Sequence, residues 1–191
     1  MPDYLETPLT DEERARYRDL VVSKVRSVPD FPKPGILFRD ITPIMSDGDA
    51  LRAALRLHLD AIWDLREGID LVVGMESRGF LFGMALAGQL GCGFVPARKP
   101  GKLPAETVEE SYALEYGEAT LQVHADAIKK GQKVLVVDDL LATGGTAKAA
   151  CKLVERLGGE VVSCLFLIEL ALLGGAEQLD GIRHDSLIVY D

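Results

Sequence analysis

Apolar residues fall into short runs separated by polar, glycine-punctuated stretches, and these runs define the predicted elements. Thr10 followed three residues later by Glu13 has the pattern of a capping box, which predicts a first helix running to about Arg26. Pro29, Pro32, Pro34 and Gly35 then impose an irregular extended segment, and Ile36 to Arg39 reads as a short strand. From about Asp49 to Leu65, the residues Leu51, Ala54, Leu55 and Ile62 suit one face of a helix. Strand and helix patterns alternate from there. Ile69 to Val73 is a strand ended by Gly74, Phe80 to Leu90 a small-residue helix ended by Gly91, and Gly93 to Ala97 a strand. Leu121 to Val123 is part of another strand. Lys133 to Val137 is a strand, apolar from Val134 on, flowing into Asp138-Asp139, and Thr146 to Leu157 is a helix ended by Gly158-Gly159. Val161 to Ile168 and Leu187 to Tyr190 close the series. Between them lie a basic loop, Arg98 to Pro104, and a polar, weakly periodic stretch, Ala105 to Glu118, of the kind that serves as an active-site lid.

This alternation, with β-branched strands, predicts an α/β fold: a mostly parallel central sheet with flanking helices on both faces. Repeats, linkers and low-complexity segments are not visible, and the 191 residues suit a single domain spanning 1–191. At 48% hydrophobic the chain can bury a core, which argues against intrinsic disorder. Its net charge of −9 argues against a general nucleic-acid binder or a membrane-surface protein, both of which need a basic face. Met1 to Arg18 has no apolar core of a signal peptide, and Val161 to Leu173 is too short to span a bilayer, so a cytoplasmic location is expected. Cys92, Cys151 and Cys164 are odd in number and widely spaced, and read as small buried hydrophobes in a reducing compartment.

In parallel sheets ligands bind at the carboxyl ends of the strands. Two such ends carry chemistry. The first is Asp138-Asp139-Leu140-Leu141-Ala142-Thr143-Gly144-Gly145-Thr146, in which a buried strand delivers two carboxylates and a small-residue turn opens a helix. Ala142 to Thr146 has the composition of an anion cradle: glycines admit the backbone, amide N–H groups face the ligand, and Thr143 and Thr146 add hydroxyls. It lacks the Gly-Lys-Ser/Thr of a Walker A loop. The carboxylates would repel a phosphate, and suit instead the vicinal hydroxyls of a ribose or a hydrated Mg²⁺. The second end is Glu76-Ser77-Arg78-Gly79. It has the outline of a hydrolase nucleophile elbow, but Met75 occupies the first glycine position and only His184 offers itself as a base. His58, His124 and His184 have no ligand spacing. Arg98, Lys99 and Lys102 form a basic loop that is either a solvated surface or a subsite for a polyanion. Phe38 is either core packing or a stacking platform.

The stretch from Val134 to Thr146 resembles the phosphoribosyl-pyrophosphate (PRPP) motif of the type I phosphoribosyltransferase family. Pro29 to Asp40, Glu76 to Gly83, Arg98-Lys99 with Gly101 to Pro104, and Ser111 to Gly117 are similar to the same family, in the same order along the chain. The resemblance implies that family's fold, with a small N-terminal hood over about residues 1–45 and a flexible catalytic loop over about 98–118. It implies transfer of phosphoribose from PRPP to adenine, giving AMP and pyrophosphate, with Mg²⁺ held mainly by PRPP and water rather than by protein ligands, in a homodimer. Residue by residue, it implies that Ala142, Thr143, Gly144, Gly145 and Thr146 hold the 5′-phosphate and that Asp138 and Asp139 take the ribose hydroxyls. Arg78 would face the diphosphate from a turn that the family often builds with a non-proline cis peptide. Arg98 and Lys99 would bind pyrophosphate, across the dimer interface. Leu37, Phe38, Arg39 and Leu170 would bind adenine; Glu115 and Tyr116 would be catalytic, a protonated Glu115 donating to the purine N7. Glu76 stands where many relatives have Asp, which leaves its role open, and residues 1–24 and 176–191 depart most from the pattern. Two alternatives remain at this stage: a phosphoribosyltransferase for another purine, and a non-catalytic PRPP- or nucleotide-sensing regulator.

Overall fold

The structure, a computed structural model, describes residues 7–113 and 117–191. The chain divides into two compact units, Met1–Trp63 and Asp64–Asp191.

The first unit opens with helix α1 (Asp11–Lys24), whose capping box forms as the sequence predicts: Thr10 Oγ1 accepts from the Glu13 N–H, and Glu13 Oε2 accepts from the Thr10 N–H at 2.9 Å. Strands β1 (Arg26–Pro29) and β2 (Leu37–Asp40) pair antiparallel, with Phe38 opposite Val28. After the short helix α2 (Thr42–Ser46), Asp47 accepts from the Asp49 and Ala50 N–H groups and starts α3 (Gly48–Ala61). This helix buries Ala50, Ala53, Ala54, Leu55 and Leu57, and packs on α1. Asp60 fastens the two, receiving the Leu9 N–H at 2.7 Å and Arg14 Nε at 2.8 Å.

The second unit is built on a five-stranded, all-parallel sheet in the order β4-β3-β7-β8-β9. Its strands are β3 (Leu71–Met75), β4 (Gly93–Ala97), β7 (Lys133–Leu141), β8 (Glu160–Leu170) and β9 (His184–Tyr190). Helix α4 (Arg78–Leu90) connects β3 to β4 and α5 (Gly145–Arg156) connects β7 to β8. Val72, Val73, Val134 to Val137 and Cys164 to Ile168 are fully buried, as strands covered on both faces must be. Gly91, at φ 68°, closes α4 with the left-handed turn that a side chain would strain. Two elements differ from the sequence pattern. Strand β7 continues through the carboxylates to Leu141, because Asp138 and Leu140 still pair with Phe166 and Ile168 of β8. Within the polar stretch 105–118, residues 107–113 form a strand: β5 (Thr107–Ala113) pairs antiparallel with β6 (Glu118–His124). Val108, Glu110 and Tyr112 form its inner face, and the charge of Glu110 hides that alternation from a hydropathy reading.

Candidate active site

In an open parallel sheet the ligand crevice lies where neighbouring strands send their connections to opposite sides. Here that point lies between β3 and β7, since β3 leads outward to β4 and β7 leads the other way to β8. Both segments singled out in the sequence leave the sheet there, side by side. Gly79, in the first turn of α4, touches the end of β7. A Cβ on it would stand 2.7 Å from the Val137 carbonyl oxygen and 2.9 Å from Asp138 Oδ1, so only glycine permits this approach.

The turn before α4 contains a cis peptide at Glu76–Ser77. Glu76 Oε2 accepts from the Lys99 N–H at 3.0 Å and stands 3.4 Å from Arg98 Nε, while the Glu76 N–H donates to the Ala97 carbonyl at 3.0 Å. Glu76 therefore ties the basic loop to the turn, the role its sequence left open. Arg98 is held inward by Glu76, by the Lys102 carbonyl at 3.0 Å and by the face of Phe80.

Arg78 Nε lies 2.6 Å from Asp139 Oδ2, so the expected diphosphate ligand and one of the expected ribose ligands are an ion pair. Asp139 is 6% exposed, and the pair supplies the compensation that a buried carboxylate requires. Asp138 has no such partner: its Oδ1 accepts only the Asp139 N–H at 2.9 Å among the bonds described. Burial first, and then the adjacent Asp139 charge, push the Asp138 carboxyl well above the usual carboxylate range.

The cradle follows. Gly144, at φ 79°, is the N-cap of α5 and offers no side-chain cap; α4 likewise starts without one at Ser77. Helices α1 and α3, by contrast, are capped by Thr10 and Asp47. The two helix N-termini at the crevice thus keep N–H groups available to an anion. A Cβ on Gly175 would meet the Ala142 carbonyl oxygen at 2.2 Å, and one on Gly144 would meet the Gly175 carbonyl at 2.5 Å. The Gly174-Gly175 turn is therefore the floor of the cradle, a role not anticipated from the sequence, although a glycine pair after a strand was the available signal.

A cavity of about 470 Å³ joins these parts; Arg78, Lys99, Asp138, Asp139 and Thr146 are among its walls. A neighbouring one of about 730 Å³ is lined by Thr143, Gly145 and Lys148. Tyr112 of β5 borders both, a residue the sequence reading passed over. Arg98 borders neither. Leu170 ends β8, half-buried, opposite Tyr190 of β9. Leu37, Phe38 and Arg39 belong to the first unit: Leu37 is 49% exposed, Phe38 packs edge-on against Phe31 at 5.1 Å, and Arg39 donates to Ser27 Oγ at 2.6 Å. Glu115 and Tyr116 lie outside the described residues. Among the described residues no histidine lines the Ser77 cavity, and His184 Nδ1 is 3.1 Å from the Ile182 carbonyl, so the hydrolase alternative lacks the histidine base it would need there. None of the described helices is long and apolar enough to cross a membrane.

The phosphoribosyl transferase domain family matches residues 48–180, the span that holds the small-residue turn, the carboxylate pair and the Arg78 turn at the switch point of the parallel sheet. An adenine phosphoribosyltransferase of Methylococcus capsulatus is 56% identical over 172 residues, covering 90% of this chain and 99% of its own. The crystal structure of adenine phosphoribosyltransferase from Thermoanaerobacter pseudethanolicus is 50% identical with a TM-score of 0.87, over 91% of this chain and 99% of that one. That of the Saccharomyces cerevisiae enzyme, complexed with an imino-altritol bisphosphate and adenine, is 41% identical with a TM-score of 0.85, over 91% and 99%. The chain belongs to the adenine phosphoribosyltransferase family.

Proposed function

We propose that this chain transfers the phosphoribosyl group of PRPP to adenine, forming AMP and pyrophosphate in purine salvage. The observation that carries this reading is the adjacency of the cradle, the carboxylate pair and the Arg78 turn, in a chain whose relatives bear that activity in their names. The 5′-phosphate sits at Ala142 to Thr146, on the uncapped start of α5. The ribose hydroxyls donate to Asp138 and Asp139. As the bond to pyrophosphate lengthens, the sugar gains oxocarbenium character, and the carboxylates beneath it stabilise that charge. Arg78, steered by Asp139, and Lys99, held by Glu76, receive the departing pyrophosphate, with Arg98 assigned to the pyrophosphate site of a second subunit. The exposed Leu81 and Met84 of α4 support a homodimer, which light scattering of the purified protein tests.

Mg²⁺ enters as part of the PRPP substrate and shields its diphosphate. The ion's shell is substrate oxygens and water, as suits a hard cation. Leu37, Phe38, Arg39 and Leu170 are assigned to adenine: the Phe38 ring stacks on the base, main-chain groups at Leu37 and Arg39 read its edge, and Leu170 supplies apolar contact. Glu115, protonated, donates a hydrogen bond to N7 while N9 attacks C1′ and gives up its proton, which leaves with the basic pyrophosphate, and Tyr116 packs near the sugar. A spectrophotometric assay with PRPP and Mg²⁺, offering adenine, hypoxanthine, guanine and orotate in turn, tests this reading. AMP from adenine alone is expected. Turnover of a different base, or PRPP binding without turnover of any, overturns it.

A further inference from the structure

Tyr112 has no part in the reaction as derived so far, yet it stands at the junction of the two cavities of the second unit. Its hydroxyl is 3.0 Å from Thr146 Oγ1. Its ring covers Gly145, where an added Cβ would meet Cδ2 at 2.9 Å. The side chain thus lies directly on the cradle, brought there by an element remote in sequence.

The hairpin that carries it is strapped to α5. Glu110, two residues earlier on the same face of β5, receives Lys152 Nζ at 2.9 Å and Arg156 at 3.1 Å. Arg156 also donates to the Glu109 carbonyl at 2.5 Å. Lys152 and Arg156 lie on the helix whose N-terminus forms the cradle, so the strap fixes Tyr112 relative to the cradle itself.

We infer that Tyr112 is a further binding residue for the 5′-phosphate, delivered to the cradle by the β5–β6 hairpin and held there by Glu110. The inference rests on the reading of the cradle as the 5′-phosphate site. Two hydroxyls joined by one hydrogen bond spend one proton between them. Thr146 Oγ1 donates to Tyr112, which leaves Thr146 its backbone N–H for the phosphate, and the phenol keeps an O–H to donate to a phosphate oxygen at the mouth of the cradle. Such a charge-assisted bond is stronger than a neutral one.

The test is Tyr112→Phe, which keeps the ring over Gly145 and removes only the hydroxyl. Affinity for ribose 5-phosphate, measured by calorimetry, is expected to fall about tenfold, and KM for PRPP to rise by a similar factor while kcat moves far less. Affinity for pyrophosphate alone should stay within about twofold, and the thermal midpoint should hold, neither of which a merely structural role would predict. Glu110→Gln should weaken ribose 5-phosphate binding in the native background but add little to Tyr112→Phe, since both act through one contact. Unchanged ribose 5-phosphate affinity in Tyr112→Phe, an equal loss for pyrophosphate, or additive effects of the two substitutions overturns the inference while leaving the transferase reading intact. A native protein that binds neither PRPP nor ribose 5-phosphate overturns that reading itself.

Discussion

Gly79→Ala is the sharpest test of how the two halves of the crevice are joined. The methyl group would be placed 2.7 Å from the Val137 carbonyl oxygen, 2.9 Å from Asp138 Oδ1 and 3.2 Å from Asp138 Cα, where ordinary contact begins at 3.4 Å. Two of those atoms are backbone of a central strand, so no rotamer change relieves the overlap, and the start of α4 must part from β7 by roughly 0.7 Å. Overpacking of this kind costs about 1–3 kcal/mol. The better helix propensity of alanine returns about 0.5–1 kcal/mol of it. A net loss of about 1–2 kcal/mol corresponds to a melting midpoint lower by roughly 2–8 °C in a chain of this size. The same displacement carries Arg78 away from its partner Asp139, and misplacing reacting groups by about 1 Å can cost on the order of a hundredfold in rate. Activity should therefore fall more than stability does. The assay is a thermal melt together with kcat/KM for PRPP. Gly88→Ala on the same helix is the control: an added Cβ there meets nothing within 4 Å, so it should be neutral or mildly stabilising. Native kcat/KM and an unchanged midpoint in Gly79→Ala would refute the argument that this contact sets the spacing of the site.

Three further expectations concern individual side chains. Burial and the neighbouring Asp139 raise the Asp138 carboxyl, so the native state binds its proton more tightly than the unfolded chain and stability falls as pH rises above the ordinary carboxylate range. Asp138→Asn should remove that slope: calorimetry across about pH 5 to 8 should show the variant gaining on the native protein as pH rises, with turnover cut by a factor on the order of a hundred or more. A stability difference that does not change with pH would contradict it. Glu76→Ala releases the Lys99 N–H and Arg98, and should weaken product inhibition by pyrophosphate by about three- to tenfold, with Glu76→Gln in between. A rise in the KM for adenine instead would show that Glu76 acts elsewhere. Phe38→Ala should raise the KM for adenine by about tenfold or more, the worth of one base stacked on an aromatic ring, without changing that for PRPP. Equal changes in both would assign Phe38 to packing.

The features legible in the chain were those set by neighbours in sequence. An unbroken apolar run ending in two carboxylates marks Val134 to Asp139 as a strand covered on both faces, and the small residues after it mark an anion cradle. The Thr10–Glu13 spacing marks a helix start in the same way, and Gly91 a helix end. Each depends on periodicity and backbone preference over a few residues, which composition and spacing carry directly. The hairpin escaped that reading because Glu110 sits on its inner face as a charge, and only Lys152 and Arg156, about forty residues away, make that position tolerable. The pairing of Arg78 with Asp139, the hold of Glu76 on Lys99, the Gly175 floor and the place of Tyr112 on Thr146 are of the same kind. The sequence by itself determined which segments carry the chemistry, because local pattern decides element and type. The tertiary structure alone decided which side chains meet, because a contact between distant residues depends on strand order and packing, and these leave no periodic trace in the chain.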